Sequence, residues 1–219
     1  MLNVYVKEPT HQAKACMIWM HGLGADSSDM AGLVEELPLN DVALRHVFID
    51  APVRPVTINN GMSMRAWYDI LGMELTDRED QKGILASQNY IRQIIDAQIK
   101  EGFSSDQIML AGFSQGGAMA LYTALNLETP IAAVVALSAY LPLAAQCTPV
   151  LAKKTPMFLA GGRYDSIVLP VWTKQTAAWL TTTGYENVTL HEYPMDHAIC
   201  AEEIDDLARW IRTQVKGDF

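Results

Sequence analysis

The chain has 219 residues, enough for one large hydrophobic core and fewer than two independent domains usually take. Half of the residues are hydrophobic and 19% are charged, which excludes intrinsic disorder and makes disulfide or metal cross-links unnecessary for a core of this size. The net charge of −9 and the lack of any Lys/Arg cluster exclude a nucleic-acid footprint.

Three cysteines, Cys16, Cys147 and Cys200, are widely spaced and form no C-x-x-C, which argues against a disulfide framework or a zinc knuckle and for a reducing compartment. The first residues lack the basic start and apolar centre of a secretory signal. The longest apolar stretch, 131–145, is broken by Ser138 and Pro142 and is shorter than the roughly 20 residues of a membrane span. A cytoplasmic protein without a membrane span is expected.

In chain order, apolar β-rich runs fall at 16–20, 44–49, 108–112, 132–137, 157–160 and 188–193, with an edge strand at 3–6. They lack polar alternation, as strands buried on both faces do. Between them run helical patterns. Ile84, Ile91, Ile94, Ile95 and Ile99 recur at helical spacing and Gly102 marks the stop. Residues 115–125 read as a helix after the 108–112 strand, and Ile204, Leu207, Ala208, Ile211 and Val215 form the stripe of a last helix with Glu202 and Glu203 in its first turn. Alternating strands and helices predict an α/β fold: a mostly parallel central sheet with helices on both faces, in one domain over residues 1–219. Residues 50–75 fit neither period. They are irregular and rich in large apolar side chains, the composition of a packed loop or of a binding wall.

Gly112-Phe113-Ser114-Gln115-Gly116 matches G-x-S-x-G and lies on a strand-to-helix turn, the context that motif requires. Glycines two residues to either side of Ser114 let strand and helix approach, and the serine is pushed out at the carboxyl edge of the sheet. A serine hydroxyl is a weak nucleophile and needs a base oriented by a third group. Downstream, only His191 and His197 are available. His191 lies inside a strand, whereas His197 follows one, so the base is assigned to His197. Asp165, just beyond the 157–160 strand, is assigned as the acid; Asp50 is held in reserve, and Asp196, adjacent to His197, reads as a solvated loop residue. The His21-Gly22-Leu23-Gly24 loop after the first long strand offers backbone N–H groups for an oxyanion, and by position Leu23 and Gln115 form the pair. Met62, Met64, Trp67, Leu71 and Met73 are expected to line an acyl pocket, because Met and aromatic side chains adapt to flexible chains. No H-E-x-x-H, EF-hand, P-loop or G-x-G-x-x-G is present, so neither a metal nor a cofactor is expected.

The ordered set of His21-Gly22-Leu23-Gly24, the Ser114 motif extended to Gly117, the Asp165 turn and Tyr193-Pro194-Met195-Asp196-His197 resembles the phospholipase/carboxylesterase family, whose eukaryotic relatives are acyl-protein thioesterases. Arg54-Pro55-Val56-Thr57-Ile58-Asn59 and Arg65-Ala66-Trp67-Tyr68-Asp69-Ile70 resemble its bacterial carboxylesterase branch. The resemblance implies an α/β-hydrolase without a large cap, with a triad on Ser114, Asp165 and His197 and oxyanion donors on Leu23 and Gln115. Two positions depart from the family pattern: Gly161 stands where a His is common, and Asp196 where a Gly is common. The expected activity is hydrolysis of carboxylic esters with short to medium acyl chains through an acyl-enzyme. An acyl-protein thioesterase or lysophospholipase on the same triad is the alternative, and an inactive acyl-binding protein is the non-enzymatic one. The expected partner is a small or lipid-like ester or an acylated protein, met by a monomer or homodimer.

Overall fold

A computed structural model describes residues 4–72, 75 and 78–215. The elements are β1 (Val4–Lys7), β2 (Ala15–Met20), α1 (Ser27–Glu36), β3 (Leu44–Ile49), β4 (Val53–Val56), β5 (Met62–Arg65), α2 (Gln81–Lys100), β6 (Ile108–Phe113), α3 (Gln115–Leu125), β7 (Ala133–Leu137), β8 (Met157–Gly162), α4 (Pro170–Thr182), β9 (Val188–Tyr193) and α5 (Ala201–Gln214). Seven strands form one sheet in the order β1-β3-β2-β6-β7-β8-β9, parallel throughout except for β1, which runs antiparallel to β3 at the edge.

Strand alternation sorts the core onto two faces. Cys16, Ile18 and Met20 of β2 point to the side covered by α2, α3 and α4, whereas Ala15, Met17 and Trp19 point to the side covered by α1 and α5. Helices therefore lie on both faces, as the sequence patterns predict. The Ile stripe of α2 buries Ile84, Ile91, Ile94 and Ile95, and Gly102 ends the helix region with a φ of 108°.

The strand order reverses between β2 and β6. From β2 the chain winds outward to β3, and from β6 it winds the other way to β9. Loops leaving the carboxyl ends of β2 and β6 diverge there and open a crevice. Met20 pairs with Gly112, so the loop after β2 and the turn after β6 leave the sheet at the same level.

The irregular segment contains structure that its sequence conceals. β4 and β5 form a two-stranded antiparallel sheet, turned by a 3-10 segment at Thr57–Asn59 and by Asn60 and Gly61 with φ of 55° and 74°. Beyond it, Ala66, Trp67 and Tyr68 are buried in the core. Among the described residues, no helix is long and apolar enough to cross a membrane.

Candidate active site

Ser114 lies between β6 and α3 with φ 53° and ψ −120°, a conformation that side-chain-bearing residues rarely adopt. The turn is held by the Ser114 N–H donating to the Leu137 carbonyl (2.8 Å) and by the Ser114 carbonyl accepting from the Ala118 N–H (3.0 Å). A Cβ on Gly112 would lie 2.3 Å from the Gly116 carbonyl carbon, and one on Gly116 would lie 2.1 Å from the Met20 carbonyl oxygen. The glycines thus permit the backbone contact that forces the serine outward.

Asp165 and His197 follow the adjacent strands β8 and β9, and their loops are tied together. The Arg163 N–H donates to the Tyr193 carbonyl (2.8 Å) and the Tyr164 N–H to that of Met195 (3.1 Å). A Cβ on Gly162 would approach the Met195 and Asp196 carbonyl oxygens to 2.3 Å. One carboxylate oxygen of Asp165 accepts from the Ile167 and Val168 N–H groups (2.8 and 2.9 Å), and the other lies 2.7 Å from His197 Nδ1. His197 Nε2 is 2.9 Å from Ser114 Oγ. An ionised carboxylate only accepts, so Nδ1 carries the proton and Nε2 offers its lone pair to the serine hydroxyl. Asp165 is 3% exposed, and the Phe113 ring packs on the imidazole with centroids 4.8 Å apart. Water has little access to the carboxylate, so the orienting bond is undiluted by solvent.

The competing residues are engaged elsewhere. Asp50 accepts from the Ser27 N–H at the start of α1 (2.8 Å) and pairs with Arg65 (3.2 Å). Asp196 is exposed. His191 stacks between Phe158 and Tyr193 on β9, with Asp206 3.7 Å from its Nδ1. Cys200 stands at the position before α5, and burial pushes the Cys16 thiol up to about 12. At Gly161, the first departure from the family pattern, a Cβ would meet Thr173 at an ordinary 3.5 Å, so the backbone there does not itself require glycine.

The loop after β2 is fixed by groups whose roles the sequence does not reveal. His21 is fully buried; its Nδ1–H donates to the Gly22 carbonyl (2.7 Å) and its Nε2 accepts from the Ala51 N–H (3.0 Å). Burial lowers its pKa, consistent with a neutral ring. The Trp67 indole N–H donates to the His21 carbonyl (2.9 Å), and the Trp67 amide donates to the Gln115 side-chain oxygen (2.8 Å). The Gln115 side-chain NH2 group donates to the Tyr68 carbonyl (2.8 Å), and Ser87 Oγ–H to the Trp67 carbonyl. Gln115 opens α3, where its backbone N–H has no carbonyl four residues earlier in the helix. Among the described residues, no protein acceptor takes the Leu23 N–H. The Leu23 and Gln115 N–H groups are thus without a protein acceptor among the described residues, on residues that line the same cavity as Ser114.

Ser114, His197, Leu23 and Gln115 line one cavity of about 700 Å³. The 50–75 segment contributes its wall, though through other side chains than its composition suggests. Ile58, Tyr68, Ile70 and Leu75 line the cavity, with Met30 and Leu33 of α1 and Ile167 and Val168 from the acid loop. Met62 is 66% exposed at the end of the hairpin, Met64 packs against the core beside Gly24, and Trp67 is buried behind the wall in the network above. Leu71 is not part of the wall either, and Met73 lies outside the described residues. The hairpin accounts for the correction: it turns Met62 and Met64 away, and the chain beyond it alternates Trp67 inward with Tyr68 and Ile70 toward the cavity. No cluster of three or more metal-ligating side chains occurs among the described residues.

The chain as a whole is similar to acyl-protein thioesterases. An acyl-protein thioesterase 1 from Mycosarcoma maydis is 38% identical, with 96% of each chain covered, and one from Neurospora crassa is 37% identical over 87% of this chain and 83% of its own. The crystal structure of Zea mays acyl-protein thioesterase 2 superposes with a TM-score of 0.86 at 26% identity, covering 99% of this chain and all of that one. These relatives are fungal and plant proteins. The phospholipase/carboxylesterase family model matches residues 2–215, and the chain belongs to that family of α/β-fold hydrolases.

Proposed function

We propose that this chain, as one hydrolase domain over residues 1–219, cleaves carboxylic esters of short to medium acyl length with Ser114 as nucleophile, His197 as base and Asp165 as its orienting acid. The observation that carries this reading is the continuous hydrogen-bonded line from Asp165 through His197 to Ser114 Oγ, with 2.7 and 2.9 Å contacts. Ser114 Oγ attacks the acyl carbonyl as its proton passes to His197 Nε2, and the imidazolium that forms is stabilised by Asp165. The oxyanion is received by the Leu23 and Gln115 N–H groups, which cost no reorganisation because the surrounding network already fixes them. His197 returns the proton to the leaving group, and water then releases the acid from the acyl-enzyme by the same route.

No cofactor enters this chemistry. The resemblance of the segments around Arg54 and Trp67 to the bacterial carboxylesterase branch supports a general carboxylesterase, whereas the names of the fungal and plant relatives support a second reading, a thioesterase acting on acylated protein. A direct test compares p-nitrophenyl butanoate, a butanoyl thioester and an S-acylated peptide. Turnover of the oxygen ester is expected, with a loss of roughly 10⁴-fold or more in folded Ser114→Ala. Near-normal turnover by that variant refutes the assignment, and a strong preference for the S-acyl peptide selects the second reading.

A further inference from the structure

Tyr140, in the loop after β7, borders two cavities. On one side it lines the 700 Å³ space that holds Ser114; on the other it lines a separate space of about 290 Å³ bounded by Glu79, Leu141, Ala144, Trp172, Thr176 and Trp179. Its side chain is 3% exposed and is held from several directions. The hydroxyl lies 3.1 Å from that of Tyr68, another wall residue of the first cavity, and donates to the Leu75 carbonyl at 3.4 Å. The ring packs obliquely on Trp172 with centroids 6.2 Å apart and clusters with Val168. The backbone beside it is fixed as well, since the Leu141 N–H donates to Thr176 Oγ1 (2.9 Å).

An apolar chain esterified at Ser114 enters the first cavity, and Tyr68 and Tyr140 stand in its wall with their hydroxyls bonded to each other. To pass into the smaller cavity the chain would have to displace the Tyr140 ring from its packing on Trp172 and Val168. Resting on the reading of this cavity as the acyl site, we propose that Tyr140 is the residue that limits acyl length: its ring closes the far end of the acyl site, and the smaller cavity behind it is reached only when that ring is removed.

The test is an acyl-length series of p-nitrophenyl esters from acetyl to palmitoyl, read as the ratio of kcat/KM for dodecanoyl to that for butanoyl. Tyr140→Ala joins the two spaces, and each methylene it newly buries multiplies the long-chain term by roughly fourfold. The ratio should therefore rise by roughly tenfold or more. Tyr140→Phe keeps the ring and should keep the wild-type ratio. Ala144→Phe, filling the rear cavity in the Tyr140→Ala background, should cancel the gain. If Tyr140→Ala does not fold, Tyr140→Leu, smaller than the ring yet apolar, should raise the ratio in the same direction. A wild-type ratio in a folded, esterase-active Tyr140→Ala or Tyr140→Leu overturns the proposal, as does a gain that Ala144→Phe leaves intact. Either result spares the Ser114 assignment, which Ser114→Ala tests separately.

Discussion

Each member of the hydrogen-bonded triad has one task that its neighbours cannot take over. Asp165 spends one oxygen on two backbone N–H groups and the other on His197 Nδ1, so Asp165→Asn would keep the loop but present an amide that can turn its NH2 group to the imidazole. The ring would then hold its proton on Nε2, facing Ser114, and kcat should fall by roughly 10⁴-fold with KM little changed; a loss under tenfold, beside a severe one in Asp50→Asn, would move the acid role to Asp50. A different histidine is expected to contribute to the acid limb of stability. His46 Nδ1 accepts the Trp19 indole N–H at 3.0 Å, and burial lowers its pKa to about 4. The unfolded chain binds this proton from pH 6.5 downward while the folded one does not, so the contribution is whole above pH 6.5 and disappears as pH falls toward 4, at a cost of about 3 kcal/mol. The denaturant midpoint should drop between pH 6.5 and 5 and do so less steeply in His46→Gln; parallel curves would rule His46 out.

Among the elements, the turn from β6 to α3 tolerates least. With Gly116 against the Met20 carbonyl, Gly116→Ala should lower stability by about 2 kcal/mol or more and reduce activity together with it; an unchanged Tm would contradict the close approach. α5 carries a less visible strain. Glu203 is fully buried in its first turn, and among the described residues neither carboxylate oxygen has a hydrogen-bond partner. Burial pushes its pKa up to about 8. The folded state therefore keeps a proton that the unfolded chain loses above pH 4.5, and stability falls as pH rises toward 8. Glu203→Gln should raise Tm more at pH 8 than at pH 5, and equal shifts at both would exclude this. The residue was legible as an acid at a helix start but not as a buried one, although it stands four residues before Leu207 and eight before Ile211 on the inner stripe. β3 and β9 were readable: they begin and end where their sequence patterns place them, although Arg45 and His46 interrupt the first and Thr189, His191 and Glu192 the second. The β4–β5 hairpin was not, because its strands have four residues each and one contains Pro55. α4 hid for another reason: its buried face includes Thr173 and Thr176, whose hydroxyls are satisfied by carbonyls within the fold.

At the scale of the whole molecule, the site is a property of strand order. β2, β6, β8 and β9 all end on one edge of the sheet, and the reversal between β2 and β6 opens room there for the loop after β2 and the Ser114 turn to share one cavity. That convergence was legible in the sequence because each triad residue falls within a few positions of a strand end. The acyl wall was not, since it depends on where a hairpin lies over the core rather than on local composition. The central claim is that residues 114, 165 and 197 meet to activate one hydroxyl. Intact-mass and peptide analysis after fluorophosphonate treatment tests it most directly. One adduct is expected, on the peptide bearing Ser114, abolished in Ser114→Ala and slowed by orders of magnitude in His197→Ala; a folded wild-type protein that stays unlabelled, or carries the adduct on another residue, would contradict the claim.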